Sequence, residues 1–132
     1  MHNTAANTVI VDDVPLVRER INRLINEMKC ATVVGEADSV SSAMAIIEQC
    51  HPDLVLLDLG IPGTKEIPNG VGVLRWLQVR FPNTKTIVLT NYADQETRAA
   101  CLRAGATAFL DKSSEIEQLL STLNQICEGT YK

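Results

Sequence analysis

Carboxylates, a hydroxyl and an amine stand at the ends of short apolar segments in this 132-residue sequence. Asp12 and Asp13 follow the first segment, Asp58 the third and Lys112 the fifth, while Thr90 closes the fourth. Carboxylates brought together repel one another, and each has a raised pKa unless a cation neutralises them. Their all-oxygen ligand set favours a hard ion such as Mg²⁺. A carboxylate nucleophile, a divalent ion, a hydroxyl and an ammonium are the groups that phosphoryl transfer to an aspartate requires.

The apolar segments have the composition of strands buried on both faces of a parallel sheet. They are β-branched or Leu-rich and do not alternate with polar residues, which is typical of such strands. The segments comprise residues 8–11, 32–34, 54–57, 86–89 and 108–110. Segments with helical period follow each of them, and this alternation predicts an α/β fold with helices on both faces of the sheet. The carboxyl ends of the strands form the binding crevice in such a sheet, so the polar residues should converge there.

Residues typical of helix N-termini precede four of the predicted helices. They are Pro15, Asp38 or Ser39, Asn69 or Gly70, and Ser113 with Ser114, the last pair joined by Glu117 in the spacing of a capping box. The fourth helix, about residues 94–104, offers only small inward side chains: Thr97, Ala100, Cys101 and Ala104. At roughly 25 cal/mol per Å² of buried apolar area, it should gain the least from packing. We expect it to be the least firmly docked helix.

The net charge, the apolar runs and the cysteines of the sequence argue against several classes of protein. A net charge of −4 argues against direct nucleic-acid binding by this segment. No apolar run approaches the roughly 20 residues of a membrane span, and the start MHNTAANT lacks a secretory pattern, so we expect a cytoplasmic location. The four cysteines, Cys30, Cys50, Cys101 and Cys127, contain no C-x-x-C pair. Reduced thiols are therefore expected rather than a disulfide or a metal site.

Four stretches resemble the characteristic segments of response-regulator receiver domains: TVIVDDVPLVRERINRLI, HPDLVLLDLGIPG, TIVLTNYAD and AGATAFLDKS. The resemblance covers residues 7–128 and leaves residues 1–6 as an N-terminal tail and 129–132 as a C-terminal tail or the start of a linker. It implies a flavodoxin-like doubly wound sheet in the order 2-1-3-4-5 and a Mg²⁺-dependent phosphoacceptor in signalling rather than an enzyme. The donor would be a histidine kinase or a phosphotransfer protein. The segments VVGEA and KSS are similar to a subfamily that often carries a helix-turn-helix output domain.

By position, the resemblance assigns a role to each site residue. Thr90 and Phe109 would change orientation together on phosphorylation and shift the surface formed by helix 4, strand 5 and helix 5. Homodimerisation on phosphorylation is implied at the level of the family. The remaining roles are those of the phosphoacceptor Asp58, the metal ligands Asp12, Asp13, Asp58 and the backbone carbonyl of Gly60, and the phosphoryl-binding residues Thr90 and Lys112.

Three features depart from the family pattern. Asn91 replaces the usual Ala or Gly after the threonine, and its bulk should narrow access to Asp58 and slow both phosphorylation and hydrolysis. Ser113 stands where the family usually has a cis proline, and cis bonds are rare without proline. The loop 60–70 is longer than usual by about four residues, an insertion that costs little entropy. Its Lys65 and Glu66 are expected to be plain surface residues.

Two other functions remain open. A flavodoxin-like mononucleotide binder is compatible with the fold, although no Ser/Thr-rich phosphate loop follows the first strand. A receiver-shaped interaction module that is not phosphorylated in use is the second, with its pocket narrowed by Asn91 and the long loop. Gly70 and Gly72 imitate the start of a dinucleotide motif but do not follow a strand.

Overall fold

The structure is a computed structural model that describes residues 5–128. Residues 1–4 and 129–132, which make up most of the two expected tails, lie outside this range. The described residues form strands β1 (Ala6–Val11), β2 (Ala31–Ala37), β3 (Leu54–Leu57), β4 (Lys85–Thr90) and β5 (Ala108–Asp111). Their helices are α1 (Pro15–Asn26), α2 (Val40–Cys50), α3 (Gly70–Arg80), α4 (Gln95–Arg103) and α5 (Leu119–Glu128). No helix within this range is long and apolar enough to cross a membrane.

The strands form one parallel sheet in the order β2-β1-β3-β4-β5. This confirms the predicted α/β class and the predicted strand order. Val11 pairs with Leu57, and Leu57 pairs with Val88 on the next strand. Because these strands run in the same direction and in register, the residues that follow them emerge side by side. The register is what brings the two acidic segments to one edge of the sheet.

The core lies on both faces of the sheet. One hydrophobic cluster joins the sheet to α2, α3 and α4, and the other joins it to α1 and α5. Every residue of β3 is buried, as the sequence predicts for a central strand. The prediction is wrong for β2, where burial alternates and Val34 is 38% exposed. The reason is position, because β2 is an edge strand with a neighbour on one side only.

Three of the predicted helix starts are confirmed. Pro15 is the first residue of α1. The Ser39 hydroxyl accepts a hydrogen bond from the backbone N–H of Ser42, whose side chain in turn accepts from Ser39 N–H, which completes a capping box on α2. Asn69 caps α3 by accepting from Val71 N–H at 2.9 Å. Side-chain caps therefore fix where α2 and α3 begin, and a proline stands at the start of α1.

The predicted start of the last helix is wrong. A short 3-10 turn (Ile116–Gln118) precedes α5, and its N-terminus has no side-chain cap. Ser113 does not cap the helix because its N–H and its hydroxyl both donate to the Asp111 carboxylate, at 2.9 and 2.7 Å. The serine belongs to a turn that closes on Asp111 rather than to a capping box with Glu117.

A disulfide joins Cys30 and Cys127, with their Cα atoms 5.9 Å apart. The expectation of reduced thiols is therefore wrong for this pair. The two cysteines are 97 residues apart in sequence, and only the fold brings the last turn of α5 beside the entry to β2. Cys50 and Cys101 are free thiols, and burial raises the pKa of Cys101.

Helix α4 has the fewest buried residues of the five α-helices within the described range. Cys101 is its one buried residue, whereas α2 and α3 have three and four. Thr97 and Ala104 are half-buried as predicted, but Ala100 is exposed, which corrects that part of the prediction. The small side chains on the inward face leave little apolar area to bury.

We predict that the backbone amides of α4 exchange with solvent faster than those of α3 by about tenfold or more. The reason is that local opening costs less free energy where few apolar side chains are buried. Hydrogen exchange followed by mass spectrometry on the whole chain measures both helices in one sample. Equal protection of α3 and α4 would contradict the prediction.

Candidate functional site

Three carboxylates meet at the carboxyl edge of the sheet. Each of Asp12, Asp13 and Asp58 offers an oxygen, and these oxygens all lie within 4.8 Å of one another. Asp12 and Asp58 are buried, at 2% and 6% exposure, while Asp13 is exposed. Oxygen ligands in a half-open cluster of this kind fit a hard divalent cation that keeps part of its water. The structure thus brings together the three acidic residues that the sequence singled out.

Lys112 ties two of these carboxylates to each other. Its ammonium nitrogen donates to Asp12 Oδ2 at 2.6 Å and to Asp58 Oδ2 at 3.0 Å. Burial alone would lower the pKa of Lys112, but its hydrogen bonds to these two carboxylates outweigh burial and raise that pKa. The lysine reaches the site because it directly follows β5 and its backbone N–H donates to the carbonyl of Thr90. A single ammonium therefore compensates two buried negative charges.

Asp12 is held in place on three sides. Its Oδ1 accepts a hydrogen bond from Val14 N–H at 2.9 Å, and its backbone carbonyl accepts one from Arg18 at 2.6 Å. Burial raises the pKa of the Asp12 carboxyl, and the bonds from Lys112 and Val14 offset that effect only in part. The ionised form of Asp12 is thus less favourable here than in water.

Asp58 is fixed by backbone contacts. Its N–H donates to the carbonyl of Val11, and its Oδ1 accepts from Gly60 N–H at 3.1 Å. The N-terminus of α3 lies directly against it, because a Cβ on Gly70 would approach the Asp58 carbonyl oxygen to 2.6 Å. Only glycine allows the helix to come this close. Both carboxylate oxygens of Asp58 therefore have defined partners and a defined orientation.

Thr90 and Phe109 are buried residues of β4 and β5. Thr90 is fully buried, and its hydroxyl oxygen accepts from Tyr92 N–H at 3.2 Å, which leaves the hydroxyl hydrogen able to donate to another group. Phe109 is 3% exposed and packs in the same hydrophobic cluster as α4. The aromatic ring thus occupies a buried position in this structure.

Sequence reasoning missed Arg98, which connects α4 to this region. Its guanidinium lies 4.9 Å from the centroid of the Phe109 ring and donates to the Phe109 carbonyl at 2.9 Å. It also pairs with Glu115 at 2.7 Å, and Glu115 accepts from Asp111 N–H. The hydrogen bonds from Asp111 N–H and Arg98 lower the pKa of Glu115. The signal available in the sequence was a long charged side chain beside Thr97, in the middle of a helix otherwise poor in large inward side chains.

Tyr92 was also missed. Its ring covers Gly60, because a Cβ on that glycine would lie 2.7 Å from the tyrosine Cε2. Asn91, which the sequence singled out, is exposed. The long loop folds back on itself through a hydrogen bond from Thr64 N–H to the carbonyl of Ile67. Lys65 and Glu66 are exposed on it, as expected of surface residues.

Fold and site together define a receiver-type α/β domain. A family model described as the response regulator receiver domain matches residues 8–124. The chain belongs to this family, the receiver domains of two-component response regulators, whose general function is to accept a phosphoryl group on an aspartate. The family assignment from the sequence is confirmed.

Individual relatives support the same family. The chain is 39% identical over 124 residues to the uncharacterized transcriptional regulatory protein YhcZ of Bacillus subtilis, a match that covers 94% of this chain and 56% of that protein. It is 33% identical to the nitrate/nitrite response regulator protein NarL of Escherichia coli, with the same two coverages. A two-component response regulator of the LuxR family from Aurantimonas superposes with a TM-score of 0.85 at 28% identity, covering 97% of this chain and 89% of that one. The chain spans about half the length of the curated relatives it matches.

We predict that Asp12→Asn stabilises the metal-free protein at neutral pH. Because the pKa of Asp12 is raised in the folded state, the folded protein binds a proton at Asp12 more readily than the unfolded chain does. The free energy of unfolding therefore falls as pH rises from the ordinary pKa of 3.8 through the raised pKa of the folded state. Asparagine does not titrate, so the substitution removes this loss of stability. Urea unfolding at pH 7 without divalent ions measures the effect.

The exposed neighbour provides the control for this prediction. Asp13→Asn should leave the metal-free stability within about 0.5 kcal/mol of the parent, as is usual for surface substitutions. A lower free energy of unfolding for Asp12→Asn than for the parent would contradict the account, because it would mean that the pairing with Lys112 outweighs burial.

Proposed function

We propose that this chain accepts a phosphoryl group on Asp58, in a Mg²⁺-dependent reaction, from a histidine kinase or a phosphotransfer protein. The observation that carries the proposal is the Lys112 ammonium within hydrogen-bond distance of both Asp12 and Asp58. Membership of the receiver family supports it. We further propose that residues 7–128 constitute the domain, that it works in the cytoplasm, and that it is a signalling component rather than an enzyme with a separate substrate.

The reaction is an in-line transfer to a carboxylate oxygen. One oxygen of Asp58 attacks the phosphorus of a donor phosphohistidine whose imidazole is protonated on its other ring nitrogen. The phosphorus–nitrogen bond breaks, its electron pair stays on the ring, and the imidazole leaves as the neutral base. Gly60 N–H orients the nucleophile through the other oxygen. Lys112 and the Thr90 hydroxyl bind phosphoryl oxygens, where fixed donors stabilise the charge that develops. A Mg²⁺ ion held by Asp12, Asp13, Asp58 and the Gly60 carbonyl would neutralise the remaining charge on the transferring group.

The output is a shift of the surface formed by α4, β5 and α5, which we call the output surface. Phosphorylation recruits the Thr90 hydroxyl toward the phosphoryl group, and Phe109 changes its packing in response. The ring lies under Arg98 of the weakly packed α4, so its movement disturbs the contacts with Phe109 and Glu115 that hold α4 to β5. We propose that phosphorylation thereby shifts the population of this surface.

The name of the longer relative YhcZ describes a regulator of transcription. We propose that the output surface controls such an activity where the domain is joined to an output region, and that phosphorylated domains pair as homodimers. Direct nucleic-acid contact by this acidic segment is not part of the proposal, since its net charge is −4. The phosphoryl group also leaves by hydrolysis that the domain itself promotes.

We predict that Asp58→Asn abolishes labelling by acetyl phosphate in the presence of Mg²⁺, because the amide is not a nucleophile. Intact mass spectrometry shows the phosphoryl adduct directly. Asp53→Asn is the matched control, since Asp53 is an exposed aspartate that accepts a hydrogen bond from Asn7 near the start of β1. The Asp53→Asn variant should be labelled as fully as the parent.

The same experiment separates the rival functions. Labelling of Asp58→Asn to the extent of the parent would show that another residue is the acceptor. A parent chain that is not labelled at any Mg²⁺ concentration would favour the interaction module that works without phosphate. A mononucleotide binder would show cofactor absorbance and no adduct.

We predict that Tyr92→Ala increases the rate of phosphorylation by acetyl phosphate about fivefold, equivalent to roughly 1 kcal/mol of barrier. The ring lies over Gly60, two residues after the acceptor, and limits approach to the pocket. Stopped-flow fluorescence of Trp76 or time-resolved mass spectrometry measures the rate. Tyr92→Phe keeps the ring and should behave as the parent, while Asn91→Ala tests the bulk of the exposed neighbour separately. An unchanged rate for Tyr92→Ala would exclude the ring as a barrier.

A further inference from the structure

The Cys30–Cys127 disulfide lies at the end of the molecule opposite the acidic cluster. Cys30 precedes β2 at the amino edge of the sheet, and its carbonyl accepts from Ala6 N–H at 2.8 Å, which fixes it to the start of β1. Cys127 lies in the last turn of α5. The bond therefore attaches the last turn of a helix of the output surface to the sheet.

We propose that Cys30 and Cys127 form a reversible redox site that restrains α5 when oxidised. This proposal rests on the proposed function in one respect, namely that the domain works in a reducing cytoplasm. Disulfides in that compartment are usually transient and redox-sensing rather than structural. The other two cysteines, Cys50 and Cys101, are unpaired in this structure, and Cys101 is buried in the core.

The pair can be reached by a small reagent. Both cysteines are half-buried rather than enclosed, and they line a surface depression of about 790 Å³ within the described residues. Exchange requires access to a sulfur, which half-burial allows. The buried thiol of Cys101, at 2% exposure, provides the internal contrast.

The co-reactant is a low-molecular-weight disulfide. One cysteine thiolate attacks a sulfur of that reagent, forms a mixed disulfide and displaces the first thiolate. The second cysteine thiolate then attacks the cysteine sulfur of the mixed disulfide and displaces the other thiolate. The two cysteines together lose two protons and two electrons, and the reagent is released as two thiols.

The consequence for the output surface follows from the place of the bond. α5 packs on the sheet through Leu119, Leu123 and Ile126, and Cys127 directly follows the last of these residues. A covalent bond to Cys30 limits the positions that this turn can adopt. Oxidation should therefore reduce the change that phosphorylation produces in α5.

Glutathione buffers of defined ratio test the proposal on the whole chain. We expect a Cys30–Cys127 linked peptide to appear as the buffer becomes oxidising and to disappear as it becomes reducing. The amides of the last turn of α5 should exchange more slowly in the oxidised protein, by about tenfold or more. Cys30→Ser and Cys127→Ser should each abolish both effects, whereas Cys50→Ser should retain them.

Three results would overturn the proposal. These are a linked peptide that does not form in the most oxidising buffer, one that persists in the most reducing buffer, and one that forms without any change in α5 exchange. Labelling of Asp58 by acetyl phosphate is measured in both redox states as a separate readout. If labelling fails in both states, the proposed function is wrong, and the redox proposal is still decided by the linked peptide and the α5 exchange.

Discussion

The repulsion among three carboxylates at one edge of the sheet is the constraint on which the rest of this structure depends. Asp12 and Asp58 are buried side by side, and the fold tolerates them because Lys112 donates to both. An ion pair of this kind compensates desolvation without removing it, which is why the pKa of Asp12 remains raised. The charges at the site are therefore paired but not fully compensated, so an added cation or anion changes the electrostatic energy of Lys112 and its two partners.

The site is connected to the fold through the ends of two strands. Lys112 follows β5 and Thr90 ends β4, so a group that binds both side chains exerts a force on two neighbouring strands. The carbonyl of Thr90 accepts from Lys112 N–H, so the two donors are also joined through the backbone. A phosphoryl group on Asp58 would offer oxygens to both at once. Under the proposed function, added charge at the edge of the sheet would in this way exert a force on β4 and β5.

Much of this arrangement could be predicted from the sequence, because strand-end chemistry is local. Once Asp12, Asp58 and Lys112 follow buried parallel strands, the topology requires that they converge. What could not be predicted depends on tertiary contacts without a sequence period. The Cys30–Cys127 bond joins residues 97 apart in sequence. The Ser113 hydroxyl donates a hydrogen bond to the Asp111 carboxylate and does not cap a helix. Ala100 was predicted to face inward but is exposed. A small side chain gives little information about which face of a helix is buried.

β5 gives these observations a common mechanical basis. Its alternating side chains enter different clusters, with Phe109 on the side of α4 and Leu110 on the side of α5. A small displacement of β5 therefore acts on both helices at once. α4 can respond because it buries so little, while α5 is packed along its length and bonded at its far end through Cys127. The output surface thus combines one weakly held helix with one tethered helix, and the strand between them leads directly into Lys112, which pairs with both buried carboxylates.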